Sequence, residues 1–166
     1  MLRPQDILLV LKIQASGRDS FAALGQDLGI SASQAYSASK RAIKSGLLRE
    51  DLSVRQKALL DTVLAVKYYI PVVLGGLVRG IPTAYAAKPL SDQILRSDEP
   101  VPVWPHPEGT ERGLLCEPIY KTAPQAALID AKLYEYLALV DTLRTGRARE
   151  VAIAKAELEK RLLGPE

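Results

Sequence analysis

The sequence predicts a mainly α protein in which two helical ends are joined by a proline-rich middle. Apolar residues recur at helical spacing over residues 1–66 and again over 126–166. Nine of the eleven prolines lie between residues 71 and 124, and proline breaks a helix because it lacks an N–H and crowds the preceding turn. We therefore expect a helical core at 1–66, a connecting segment at 67–125 and C-terminal helices at 126–166.

Four short helices are expected in the first third of the chain. Pro4 suits the first position of a helix, where its missing N–H has no consequence. Gly29 is typical of a left-handed stop and ends the second helix. Ser31 and Gln34 have the spacing of a capping box, in which each side chain bonds the backbone N–H of the other residue, so a third helix starts there. Ser53 repeats this pattern and predicts the start of a fourth helix.

The connecting segment is expected to be largely extended. Residues 68–74 and 77–81 flank Gly75-Gly76, which is typical of a hairpin with a two-residue turn. Three prolines fall within residues 101–107, and each one disfavours the helical conformation for the residue before it. The segment therefore predicts one small β-hairpin and no long helix.

Composition points to a globular protein with a basic N-terminal part. The 166 residues are 48% hydrophobic and 25% charged, which is ordinary for a folded domain. The net charge is +3, and residues 1–60 hold nine Lys or Arg against five Asp or Glu. A basic module attracts polyanions by releasing their counterions, so nucleic acid is the partner class that this charge favours.

The same counts argue against several other classes of protein. One His and one Cys exclude a Cys/His zinc site within one chain, and no glycine-rich phosphate loop has the required spacing. We therefore expect no enzyme activity, no cofactor and no metal. The sequence contains no run of about 18 apolar residues, so we expect no membrane span. The lone Cys116 and an N-terminus unlike a signal peptide predict a cytoplasmic protein.

The most informative stretch is residues 21–48, which predicts two helices joined by a short turn at Gly29. Gly25 is small, as required where two helices cross closely. The inward-facing residues are apolar: Leu24, Leu28, Ile30, Ala35 and Ala38. This pattern resembles the helix-turn-helix of bacterial DNA-binding regulators and, with the helix before it and the Gly46-Leu47-Leu48 stop after it, is similar to winged-helix proteins of the MarR-like group. The resemblance implies an N-terminal winged helix-turn-helix, a proline-rich extension carrying a small β-hairpin, and C-terminal helices.

The outward face of the third helix is then the predicted DNA-binding surface. Short polar side chains at its start are expected to read base edges, and cations further along are expected to meet phosphates. Changing Arg41 to Ala should accordingly weaken binding to every DNA sequence. The alternative is that Gln34 only closes its own capping box and that Tyr36 packs on the fourth helix. The candidate residues are Ser31, Ala32, Ser33, Gln34, Tyr36, Ser37, Lys40, Arg41 and Lys44, with Arg79 added from the hairpin.

The position of the wing is open at this point. Only residues 47–52 separate Gly46 from the cap at Ser53, which is too short for two full strands and a turn. The wing is therefore either stunted or displaced beyond the fourth helix. The hairpin at 68–81, with Arg79 near its tip, is the favoured candidate, and an edge hairpin without a DNA role is the alternative.

These features predict a sequence-specific binder of double-stranded DNA, in particular a transcriptional repressor. An apolar stripe in the C-terminal helices, which includes Leu133, Leu137 and Val140, predicts a homodimer or a contact with a second protein. The alternative function follows from a looser resemblance to winged-helix antitoxins of toxin–antitoxin or phage-defence pairs. It implies an antitoxin or adaptor that binds the product of a neighbouring gene through its C-terminal part.

Overall fold

The computed structural model describes residues 1–164 and confirms a mostly helical fold. In place of the predicted hairpin it has a small three-stranded sheet. The helices are α1 (Pro4–Ser16), α2 (Phe21–Leu28), α3 (Ala32–Lys44), α4 (Gln56–Leu64), α5 (Val66–Tyr69), α6 (Ala123–Ile129), α7 (Ala131–Thr145) and α8 (Ala148–Leu163). The strands are β1 (Leu77–Pro82), β2 (Pro102–Pro105) and β3 (Glu111–Leu115), and two 3₁₀ turns occupy Ala84–Ala86 and Leu90–Asp92.

The small sheet is built around β1, which pairs antiparallel with both β2 and β3. Ile81 lies opposite Trp104, and Arg79 lies opposite Arg112. The ends of β2 and β3 also pair in parallel, so the three strands close on one another. Gly80 is required at this crossing because a Cβ there would collide with the backbone carbonyl of Trp104.

The predicted hairpin around Gly75-Gly76 is wrong. Residues 66–69 are helical, residues 70–76 have no regular structure, and the first strand begins only at Leu77. The N–H of Gly75 donates instead to the carbonyl of Leu115, 2.8 Å away, because strands distant in sequence provide the pairing that a local turn was expected to provide. Arg79 therefore lies in the middle of β1 and not at a hairpin tip.

A very short hairpin follows α3 directly, and it changes the predicted start of the fourth helix. Leu48 and Val54 form a single antiparallel bridge, and the N–H of Arg55 donates to the carbonyl of Leu47 at 2.9 Å. The Ser53 hydroxyl donates to Asp51 within this turn and does not cap a helix, so α4 begins at Gln56. The sequence left open whether the hairpin is stunted or displaced beyond the fourth helix, and the structure has a stunted hairpin directly after α3.

One hydrophobic core draws on all three predicted segments. Residues 7–11 of α1 are completely buried, which makes α1 the central helix, and α3 and α7 pack against it. The C-terminal stripe of Leu133, Leu137 and Val140 is buried in the same core, together with Leu158 of α8. The apolar stripe from which a homodimer was predicted is thus covered by other parts of the same chain. Among residues 1–164, no helix has both the length and the apolar character that crossing a bilayer requires.

A buried polar cluster joins the sheet to α7. One carboxylate oxygen of Asp141 accepts hydrogen bonds from the Thr83 hydroxyl and the Trp104 indole N–H, both at 2.7 Å. The other accepts from Arg144 at 2.7 Å, and Arg144 also donates to the carbonyls of Ile70 and Glu117. Burial raises the pKa of the Asp141 carboxyl, and the ion pair and hydrogen bonds oppose this effect. The cluster fixes the connecting segment on the helical core.

Candidate nucleic-acid interface

The α2–α3 pair has the local geometry that its glycines predict. Gly29 is left-handed, with φ of 71°, and ends α2. The N–H of Ile30 then donates back to the carbonyl of Gly25 at 2.9 Å. A Cβ on Gly25 would lie 2.7 Å from the carbonyl oxygen of Ile30, so the small residue is required by the turn backbone and not only by helix crossing.

The start of α3 is fixed by the predicted capping box. The Ser31 hydroxyl accepts from the backbone N–H of Gln34 at 3.0 Å, and the side-chain Oε1 of Gln34 accepts from the backbone N–H of Ser31 at 2.9 Å. Gln34 therefore does close its own cap, as the alternative reading held. Its side-chain NH₂ has no hydrogen-bond partner among residues 1–164, so it keeps donors for an acceptor outside the protein.

The rotation of α3 leaves most of the predicted surface exposed. Ala35, Ala38 and Ala42 are completely buried and turn one face of the helix toward the core. The opposite face carries predicted residues that solvent reaches: Ser31, Ala32, Ser33, Gln34, Tyr36, Lys40 and Lys44. Ser37 is half-buried at the edge of this face. No other part of the described chain covers it as a lid.

Tyr36 packs on α2 and not on the fourth helix. Its ring meets the ring of Phe21 edge to face, with 5.4 Å between centroids, and 48% of the residue remains exposed. The Lys40 ammonium lies 5.3 Å from the centroid of the Tyr36 ring, within the range of a cation–π contact. The two side chains thus form a small ordered unit on the open face of α3.

Arg41 is directed inward, which corrects its predicted role. Its Nε is 2.9 Å and 3.0 Å from the two carboxylate oxygens of Asp6, a residue of α1 that has no exposed surface. Its Nη2 also donates to Asp6 at 2.8 Å and to Gln5 at 3.2 Å. Hydrogen bonding to Asp6 raises the pKa of the Arg41 guanidinium. The residue therefore holds α3 on α1 and is not a free phosphate ligand.

Arg79 is not brought to the α3 face. It is exposed on β1, and no hydrogen bond or ion pair within residues 1–164 links β1 to α3. The stunted hairpin after α3 lies closer in sequence, but its turn carries Glu50 and Asp51. Hydrogen bonds from Ser53 lower the pKa of the Asp51 carboxyl, and the nearby cations Arg18 and Arg49 act in the same direction. The turn therefore carries charges of both signs. The wing role of Arg79 gains no support from contacts with α3, and it stays a prediction.

A groove opens along one side of α3, and sequence reasoning missed it. It encloses about 730 Å³ between the start of α1, the outer side of α3 and residues 118–121. Three cationic residues line it, Arg3, Arg41 and Lys121. No local signal could have located it, because residues 118–121 are more than a hundred residues from the start of α1 and more than seventy from α3 in the chain.

Comparison of the chain with protein-family models, with curated proteins and with solved structures finds no match. Within residues 1–164, no three His, Cys, Asp or Glu side chains come together as a metal site would require.

Proposed function

We propose that the protein binds double-stranded DNA by placing the exposed face of α3 in the major groove. The observation that carries the proposal is the division of α3 into a buried alanine face and an open polar face with a fixed start. An α-helix fits a major groove about 12 Å wide, and small residues at its start allow a close approach. In this proposal α2 and α3 are the two helices of a helix-turn-helix, as in the bacterial regulators that the sequence resembles.

The contacts divide by position along α3. Ser33 and Gln34 lie at the start, where the hydroxyl and the unpaired NH₂ of the amide can bond base edges. The Gln34 oxygen already serves the cap, so the expected partners of Gln34 are base acceptors such as purine N7. Lys40 and Lys44 are exposed further along and would meet phosphates. Arg41 has the separate task of holding α3 on α1.

The biological outcome that fits such binding is repression of transcription. A helix-turn-helix protein that binds as a twofold dimer contacts two half-sites about one helical turn apart. The buried C-terminal stripe cannot form that dimer, since it already packs in the core. A dimer, or a complex with a partner protein, would therefore have to use another surface.

Selection of bound duplexes from a random-sequence pool tests the proposal. We expect the protein to enrich a defined sequence, and we expect the double variant Ser33→Ala, Gln34→Ala to lose or change that preference while keeping most of its affinity for bulk DNA. Lys155→Ala in α8, an exposed position away from the open face of α3, is the matched control and should enrich the same sequence as the unaltered protein. If no sequence is enriched, or if the double variant keeps the same preference, base reading by the start of α3 is wrong.

A further inference from the structure

The groove beside α3 shares a wall with the proposed DNA-binding face. Its lining includes Ser33, Gln34 and Ser37 from the first half of α3, and across from them lie Arg3 and Lys121. No Asp or Glu belongs to the lining. The charge of the groove is therefore suited to an anion that already contacts α3.

Two of the cations in this groove are available to a ligand. Arg3 and Lys121 are exposed, and neither forms an ion pair with any described acidic residue. The third cation differs, because the charge of Arg41 is offset by Asp6 at 2.8 Å. The free positive charge of the groove thus comes from the start of α1 and from the connecting segment.

The wall that carries Lys121 is held in place from both sides. The Tyr120 hydroxyl accepts a hydrogen bond from Gln5 at 3.1 Å, and Gln5 in turn accepts from Arg41. On the other side Thr122 packs on the turn between α2 and α3, with its Cβ 3.3 Å from the position that a Cβ of Gly29 would take. Little ordering of the segment is needed when an anion binds, and preorganised contacts favour affinity for that reason.

The free cations would bracket the part of α3 that reads bases. Arg3 and Lys121 lie beside the first half of the helix, and Lys40 and Lys44 follow in the second half. Ser33 lines the groove together with Arg3 and Lys121 and marks their end of α3. At 1.5 Å per residue, Ser33 and Lys44 are separated by about 16 Å along the helix axis. This separation is comparable with the major-groove width of about 12 Å, so the two pairs can meet the two backbones that border one groove.

We infer that Arg3 and Lys121 bind the sugar–phosphate backbone of the same duplex that α3 enters, which makes the connecting segment part of the DNA interface. The inference rests on the proposed function and adds to it a contact outside the helix-turn-helix. It also assigns a role to the proline-rich segment, whose residues 118–121 form the outer wall of the groove.

The test is the salt dependence of affinity for a mixed-sequence duplex of about 30 base pairs, roughly three helical turns. Each phosphate contact contributes about 0.9 to the slope of log affinity against log salt concentration. This slope is negative, and we expect the double variant Arg3→Gln, Lys121→Gln to reduce its magnitude by about 2 relative to the unaltered protein. Lys155→Gln with Lys160→Gln removes the same charge from exposed positions of α8 and should leave the slope nearly unchanged. Arg3→Lys with Lys121→Arg keeps both charges and should keep the slope.

The outcomes separate this inference from the proposed function. If Lys40→Gln with Lys44→Gln lowers the slope and the Arg3, Lys121 variant does not, the inference is overturned and DNA binding by α3 stands. If the unaltered protein does not bind duplex at all, both are overturned. If the α8 control lowers the slope as much as the groove variant, affinity follows net charge alone and the groove contact is refuted. Equal thermal unfolding midpoints would show that every variant is folded.

Discussion

At the scale of single residues, Arg41 shows how a surface cation can become a structural one. The sequence places it on the outward side of α3 with Lys40 and Lys44, but Asp6 is buried in α1 and has no other cationic partner within residues 1–164. A buried carboxylate without a partner is strongly unfavourable, so the guanidinium turns inward to pair with it. Only 20% of the Arg41 side chain remains exposed. The identity of the residue was readable from the sequence, but the direction of its side chain was not.

Removing this ion pair should lower the stability of the fold. Arg41→Gln leaves Asp6 buried without its cation, and we expect the free energy of unfolding to fall by about 3 kcal/mol. Lys40→Gln, one position earlier and exposed, should change it by less than about 0.5 kcal/mol. Denaturant titration measures both values.

The double variant Asp6→Asn, Arg41→Gln separates pairing from side-chain loss. Because it removes the buried charge together with its partner, it should be more stable than Arg41→Gln alone. Equal stability of Arg41→Gln and the unaltered protein would show that the pair does not hold α3 on α1.

At the scale of elements, α1 and α7 are joined by a charged cap. The Asp130 carboxylate caps α7 by accepting from the N–H of Leu133, and it also accepts from the buried ammonium of Lys12 at 2.7 Å and from the Ser16 hydroxyl. Burial alone would raise the pKa of this carboxyl, but the hydrogen bonds from Lys12, Ser16 and Leu133, together with the charge of Lys12, outweigh burial and hold the pKa below its ordinary value. One side chain thus starts α7 and binds the central helix to it.

This cap predicts a dependence of stability on pH. A carboxyl whose pKa is lower in the folded state stabilises the fold above its unfolded pKa of about 3.9, and that contribution is lost as the pH falls through the folded value. We expect Asp130→Asn to reduce the free energy of unfolding at pH 7 by about 2 kcal/mol, since Asn still caps a helix but does not neutralise Lys12. The difference from the unaltered protein should shrink as the pH falls below about 4.

Asp27 provides a matched control for this pH dependence, because it contacts the same lysine, Lys12. Asp27 is 3.4 Å from the Lys12 ammonium, but its side chain is nearly half exposed. Asp27→Asn should therefore change stability by less than about 1 kcal/mol. Thermal or denaturant unfolding between about pH 3 and about pH 7 measures both variants. A constant difference between Asp130→Asn and the unaltered protein across that range would contradict the assignment.

The elements that sequence could predict are those fixed by neighbours in the chain. The cap of α3 and the left-handed Gly29 depend on residues three or four positions apart, and both are present as expected. The strand pairings join β1 to residues 102–105 and 111–115, and the Arg41 pair spans 35 residues. Such contacts depend on how the core closes, so no local pattern reveals them. The hairpin at Gly75-Gly76 was mispredicted for the same reason.

At the scale of the whole molecule, the connecting segment and the C-terminal helices pack against each other. They also contact the α2–α3 pair and support it. Thr122 packs on Gly29, Tyr120 bonds α1, and α6 contacts α2. The proline-rich segment is therefore bound along the helical core and does not extend away from it. This arrangement leaves the polar face of α3 open while fixing a second basic wall beside it. The polar face and this wall are therefore adjacent, and together they form the surface to which we propose that a duplex binds.

Methylation interference shows whether α3 lies in the major groove, because dimethyl sulfate modifies guanine N7 in the major groove and adenine N3 in the minor groove. The probe is the duplex sequence enriched by the selection described above. With α3 in the major groove, methylated guanine N7 should block binding within a short patch, and that patch should weaken in the Ser33→Ala, Gln34→Ala variant. Interference only at adenine N3, or at no base, would contradict the account.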